Sequence, residues 1–257
     1  MALGNDSDRD WKVWGDTDPY FGVLTDPKFL NANLTDNSLQ EFFTSGELHV
    51  DHVYSVIRTT IRPGFQPARV LDYGCGVGRL VVAFARRAQA VVGIDVSPSM
   101  LSLAREHCSE FPADSVCLQH VDEFDALEPG SFDLVHSFLV LQHIPVDRGE
   151  LIIKKLVTLL GDRGIGAIHL PYSDSRKAFH RSLSSLRKHV KPVHGLLNLA
   201  AHRPYSAPHM QMNCYSMNRI FDILSNTNCS NLHVELSGHS GLQEAMIYFE
   251  KSAPPTL

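Results

Sequence analysis

The sequence predicts an α/β fold organised around a parallel, doubly wound sheet. From residue 69 onward, short apolar runs alternate with helix-length segments, the pattern left by right-handed crossovers between parallel strands. The first run ends in glycines at alternate positions. The last two runs are joined by a connection too short for a crossover, which marks an antiparallel pair at a sheet edge.

Taken in order, residues 1–62 are helical in part, with Ser45 the candidate cap of a helix reaching about residue 61. Residues 69–73 (RVLDY) form the first buried strand, and residues 78–88 a helix with a mixed face. Residues 90–94 are the second strand, closed by Asp95. Ser97 then caps a helix with Pro98 at its first position, running to about residue 109. Residues 115–121 and 132–140 are the third and fourth strands. An amphipathic helix over 146–160 is stopped by Gly161, and residues 164–170 make the fifth strand before Pro171. Residues 215–225 read as a helix, and 232–237 and 244–250 as the antiparallel pair.

Composition narrows the function classes. The chain of 257 residues is 44% apolar and 20% charged, ordinary values for a chain with a real core. No stretch approaches the ~18–20 apolar residues of a membrane span. The first thirty residues carry six aspartates and no apolar run, which predicts no secretory signal or transit peptide. Five cysteines without a CxxC pair suggest neither a disulfide framework nor a zinc site, so a reducing cytoplasm is the expected setting. The net charge of −5 argues against nucleic acid as a partner. That charge hides an acidic arm (ten acids and five bases over residues 1–62) and a basic segment (seven bases and one acid over 171–205). The basic segment suits an anionic partner or a solvated helix face packed near the acidic arm. Fourteen histidines leave both a metal site and histidine-based proton transfer open at this point.

The turn at 74–78 decides the class of ligand. Glycines at 74, 76 and 78 let a ligand approach the backbone without meeting a Cβ, at the carboxyl ends of the strands where open sheets bind ligands. Position 79 is arginine, so the dinucleotide fingerprint fails, and no lysine follows to make a phosphate loop. Asp72 would repel a pyrophosphate but suits an ammonium group. Asp95, 23 residues on, stands where a carboxylate accepts both hydroxyls of a ribose.

Five segments, VLDYGCGVGRL, VVGIDVSPSML, the Asp122 region, FDLVHSFLVLQHI and LLGDRGIGAIHL, together resemble the class I S-adenosylmethionine-dependent methyltransferases across residues 68–171. WKVWGDTDPYFGVLTDPKF and HMQMNCYS are similar to segments of a bacterial small-molecule subgroup. The resemblance implies a Rossmann-like sheet of seven strands, mostly parallel with an antiparallel last strand, under a helical N-terminal lid. It implies one methyltransferase domain over 1–257: lid 1–62, cofactor core 63–170, basic insertion 171–214, and helix with edge strands 215–257. It also implies roles for individual residues toward S-adenosylmethionine. Gly74, Cys75, Gly76 and Gly78 would form the turn under the methionine moiety, with Asp72 close to its ammonium group. Asp95 would hold the ribose, Val96 and Met100 would contact adenine, and Asp122 with Glu123 would read its amino edge. Phe138 would line the sulfonium side. Arg79 either pairs with the cofactor carboxylate or lies on the surface.

Methyl transfer to an alcohol or phenol also needs a proton acceptor. His143, just after the fourth strand, is the first candidate, against a role in bonding the following turn. His169 is the second and His209 the third, while His136 within the fourth strand is expected to be packed. No histidine pair has metal-binding spacing with a third ligand, so no metal is predicted. Trp11 and Trp14 are expected to anchor the lid; Tyr20 either anchors it or faces the substrate. The expected function is O-methylation of a small molecule or glycan, with an anionic or lipid-linked acceptor and peripheral membrane contact as variants. Macromolecule methylation and a non-catalytic cofactor-binding scaffold are the alternatives.

Overall fold

The alternation of apolar runs becomes a seven-stranded sheet in a computed structural model that describes residues 6–175, 208, 210–239 and 241–253. The strands are β1 (Arg69–Tyr73), β2 (Ala90–Asp95), β3 (Val116–His120), β4 (Phe132–Ser137), β5 (Leu160–Asp174), β6 (Cys229–His239) and β7 (Leu242–Lys251). Their order is β3-β2-β1-β4-β5-β7-β6. The first five are parallel, and β7 runs antiparallel to both β5 and β6. The direction of winding reverses between β1 and β4, which puts the ligand crevice at the carboxyl end of β1.

Period-2 alternation sends neighbouring residues of β1 to opposite faces. Leu71 and Tyr73 join a core with α6 (Val146–Leu159) and α7 (Met217–Asn226), while Val70 packs with α3 (Asp36–Thr60) and α4 (Arg79–Ala85). A third cluster gathers Trp14, Tyr20, Phe21, Phe29 and Phe42 around Met100 of α5 (Pro98–His107). It fastens the N-terminal helices α1 (Asp6–Thr17) and α2 (Pro19–Val23) to the sheet's helical layer.

Three boundaries differ from the sequence reading, each for a local reason. The long N-terminal helix begins at Asp36, where Thr35 and Ser38 exchange side-chain and backbone hydrogen bonds in a capping box. Ser45 therefore sits inside α3, its hydroxyl donating to the Phe42 carbonyl. Gly46 is tolerated there because a Cβ would stand 2.6 Å from the Arg79 carbonyl oxygen; the glycine serves close helix packing, not a helix end. Gly161 does not stop α6. The helix ends at Leu159, β5 begins at Leu160, and a register shift between Phe132 and Leu134 absorbs the glycine. The third and fourth strands, α4 and α5 also close a few residues earlier than read, and α7 closes one residue later.

The basic segment lies almost wholly outside the described residues, as does His209. Among the described residues, no helix is long and apolar enough to cross a membrane.

Candidate functional site

The site is built on the turn between β1 and α4. Gly74 and Cys75 both donate their N–H groups to the Ile94 carbonyl, at 2.7 and 3.0 Å, which ties the turn to the end of β2. Gly74 has φ +81°, and a Cβ there would lie 2.2 Å from a Val140 methyl; only glycine fits. Gly76 donates to Asp95 Oδ2 at 2.8 Å, and Ser97 donates to Asp95 Oδ1 at 2.9 Å. Burial raises the pKa of Asp95 and the backbone donors of Ser97, Gly76 and Val96 pull against it, leaving a net rise. Each of its oxygens keeps a further lone pair for a hydroxyl donor.

Asp72 is buried (2% exposed) and lines the same pocket. His136 Nδ1 donates to its Oδ1 at 2.8 Å, and its Oδ2 has no hydrogen-bond partner. An orphaned carboxylate oxygen inside a pocket costs free energy unless a donor is supplied. That vacancy in the hydrogen bonding, above a glycine cradle and beside Asp95, fits the ammonium of an amino-acid moiety joined to a ribose.

The pocket encloses about 860 Å³ of space between its walls, part of it open to solvent. It brings together Asp72, Gly74, Cys75, Gly76, Arg79, Asp95, Val96, Met100, Phe138 and His143 of the expected residues. Arg79 is not on the surface: it is buried, its guanidinium donates to Ser45 Oγ at 3.2 Å, and burial pushes its pKa down to about 10 against the pull of Asp72.

Four expected residues do not line the pocket. Gly78 instead lets α5 approach, a Cβ there falling 3.2 Å from that of Ala104. Asp122 is 82% exposed, with Oδ2 3.1 Å from His120 Nδ1. Glu123 caps the same 3-10 turn by accepting from the His120 N–H, and Val121 faces the pocket in their place. His169 is buried behind Phe138, with ring centroids 4.9 Å apart and Nε2 3.7 Å from Glu244.

His143 is buried at the pocket wall. Its Nδ1 is 2.8 Å from the Gln211 carbonyl, which only accepts, so the neutral ring carries its proton there. The lone pair on Nε2 faces the Gln142 amide nitrogen at 3.1 Å. Trp11 covers the ring, 4.7 Å between centroids. Trp14 and Tyr20 anchor the N-terminal segment, Tyr20 through its hydroxyl to His107 at 2.8 Å, whereas Trp11 lines the pocket. Among the described residues, no group of three metal-binding side chains assembles.

The sequence reading passed over Ser7, Asp8, Val23, Leu139 and Arg148, which also line the pocket. Leu139 has φ +62°, an uncommon conformation for a bulky residue and a mark of functional sites that no local pattern announces. His136 is packed as expected, but it is also a partner of Asp72. A signal for that existed: register pairs Asp72 with His136 across β1 and β4, so both side chains point to one face.

Residues 70–164 match the family described as a methyltransferase domain. A ubiquinone biosynthesis O-methyltransferase of Xanthomonas campestris pv. campestris is 42% identical over 79 residues, 30% of this chain and 33% of that protein. The chain thus aligns with about a third of the curated relatives it matches. The solved magnesium protoporphyrin IX methyltransferase of Synechocystis PCC 6803 superposes over 98% of this chain and 100% of its own, with a TM-score of 0.60 and 19% identity. A SAM-dependent methyltransferase of Methanosarcina mazei covers 78% of this chain and 99% of its own, at a TM-score of 0.55 and 16% identity. At such identities these structures speak for the fold alone. Motif order and sheet topology agree with that fold, and residues 70–164 are the part of the chain that matches a methyltransferase domain.

Proposed function

We propose that the protein is a single-domain enzyme that moves a methyl group from S-adenosylmethionine to the oxygen of a small-molecule or glycan acceptor. The observation that carries this reading is the unpartnered Oδ2 of Asp72, a buried residue of the pocket wall, in a pocket whose other acid, Asp95, is already organised by Gly76 and Ser97. The cofactor supplies an electrophilic methyl carbon on a positively charged sulfur. Asp72 binds the ammonium, Asp95 the ribose hydroxyls, and Val96 and Met100 the adenine. Gly74, Cys75 and Gly76 let the chain approach the methionine end, and Arg79 meets its carboxylate. Gly78 acts from beneath by seating α5, and Val121 forms the pocket wall where Asp122 and Glu123 were expected. Phe138 excludes water from the side where the methyl group leaves.

His143 takes the acceptor proton. Its Nδ1–H is held by the Gln211 carbonyl, so Nε2 presents the lone pair, and displacement of the Gln142 amide opens it to a hydroxyl. The basic segment over 171–205 supports an anionic or lipid-linked acceptor, reached at most through peripheral membrane contact, in a cytoplasmic setting.

Titration calorimetry with S-adenosylmethionine tests the cofactor: absence of binding, or full affinity retained in Asp95→Ala, refutes it. A labelled-methyl screen over alcohols, sugars, phenols and carboxylates tests the acceptor class, and turnover confined to a carboxylate or a macromolecule refutes small-molecule O-methylation of a hydroxyl.

A further inference from the structure

Asp72 is one end of a buried chain of hydrogen bonds. Its Oδ1 meets His136 Nδ1 at 2.8 Å, and His136 Nε2 meets His49 Nε2 at 3.0 Å. His136 is fully buried within β4; His49 reaches it from α3 and lies against Phe138, ring centroids 4.0 Å apart. Neither histidine is assigned a part in cofactor binding above.

We propose that His136 and His49 are positioning residues that fix the Asp72 carboxylate through Oδ1 and leave Oδ2 as its open acceptor, so that the site selects ligands bearing an ammonium group. This rests on the S-adenosylmethionine reading.

The geometry admits two proton arrangements. In one, both rings are neutral: His136 donates from Nδ1 to Asp72 and accepts at Nε2 from His49 Nε2–H. In the other, His136 is an imidazolium donating from both nitrogens. Counting charges separates them. Asp72 brings one negative charge, and the buried Arg79 guanidinium already acts on it. A cationic His136 would place a positive charge 2.8 Å from Asp72 and form an internal ion pair with it. The carboxylate would then have less charge to offer a ligand ammonium. With neutral rings, Asp72 keeps a charge to offer and Oδ2 remains its open acceptor.

The surroundings favour neutrality. His136 is enclosed by Phe84 of α4, Phe138 after β4 and His49 of α3, with Asp72 as its acidic neighbour. His49 has its pKa pushed down to about 2, first by burial and then by the positive fields of His136, Arg79, His169 and His52. A pair of imidazoles so placed is a neutral spacer that orients a carboxylate, much as a buried acid fixes the tautomer of a histidine in reverse.

The test compares binding of S-adenosylhomocysteine with binding of its deaminated analogue, which lacks the ammonium. His136→Leu leaves Asp72 with two unpartnered oxygens, and it should weaken the ammonium ligand about tenfold or more. The deaminated analogue should change less than about twofold, since its contacts avoid Asp72. His136→Asn restores one donor and should recover most of the loss. Equal weakening of both ligands, or none of either, overturns the proposal while leaving the cofactor assignment standing. Failure of the unaltered protein to bind S-adenosylhomocysteine removes the cofactor reading itself. Nitrogen-15 NMR of the intact protein at neutral pH gives an answer independent of variant folding. Two neutral rings protonated at His136 Nδ1 and His49 Nε2 are expected, and an imidazolium at His136 overturns the proposal.

Discussion

The backbone N–H of Gly76 donates to the Asp95 carboxylate at 2.8 Å, so the turn after β1 and the acid after β2 form one unit. Asp95 also receives Ser97, the cap of α5. Backbone donors from the turn and from the start of α5 converge on a single side chain, and substitutions there act on the turn as well as on any ligand.

Asp95→Asn offers one oxygen to two backbone donors and turns an NH₂ group against the other. The expected loss is about 1–3 kcal/mol of stability, from one unsatisfied backbone donor. Cofactor affinity falls with it. Thermal melting with calorimetry checks both, and an Asn variant as stable and as tight-binding as the parent is the contrary result.

Gly74→Ala places a methyl group 2.2 Å from a Val140 methyl and forces a side chain onto φ +81°. Binding should be lost. In Gly74→Ala/Val140→Ala the clash is relieved but the left-handed backbone still costs about 1–2 kcal/mol. Partial recovery is therefore expected in the melting temperature; complete recovery would mean that the backbone bears no strain.

His143→Ala should lower turnover by about 10²-fold or more if it removes a general base. S-adenosylmethionine affinity, measured separately, should stay within about threefold, since the proposed ammonium and ribose contacts do not involve His143. Loss of affinity equal to loss of turnover would assign His143 to binding.

Acid lability should trace to His49. Its folded pKa, about 2, lies far below the ~6.5 of an unfolded histidine. Between those values the unfolded chain binds the extra proton, so stability rises with pH; it is complete above about pH 6.5 and lost as pH falls below. In His49→Phe, which keeps a ring against Phe138, the denaturant midpoint should fall less steeply between pH 6.5 and 4.5. Parallel curves for both proteins would exclude the mechanism.

Tyr215→Phe removes a hydroxyl placed 2.9 Å from the Leu141 carbonyl and 3.0 Å from that of Ile144. These flank His143, and the ring sits in space left open by Gly149. The expected cost is about 1–2 kcal/mol by denaturant unfolding, together with a slower enzyme if His143 loses its alignment.

Much of this was legible in the sequence because it depends on local rules. Alternating apolar runs, a Ser-Pro helix start and glycines at every second position are one-dimensional signals, and each located an element of the core or a wall of the pocket. What escaped depends on distant contacts. Ser45 was read as a helix cap, yet α3 runs through it, and the close approach of Gly46 to the Arg79 backbone joins residues 33 positions apart. Asp122 was expected at the pocket from its place after β3, yet His120 holds it outward while Val121 turns in. The Asp72, His136 and His49 chain needs strand register and a packed helix at once, and neither is visible in a single segment.

The place of β7 has a consequence for how the chain is made. On the ribosome, β5 emerges some seventy residues before the strand that will cover its free edge. β6 emerges earlier than β7 but has no neighbour until β7 slides between the two. The nascent sheet thus waits with the apolar edge from Ile165 to Leu170 open to other chains. Synthesis stalled ahead of residue 242 should yield a product that aggregates and recruits chaperones, whereas a pause after residue 251 should not.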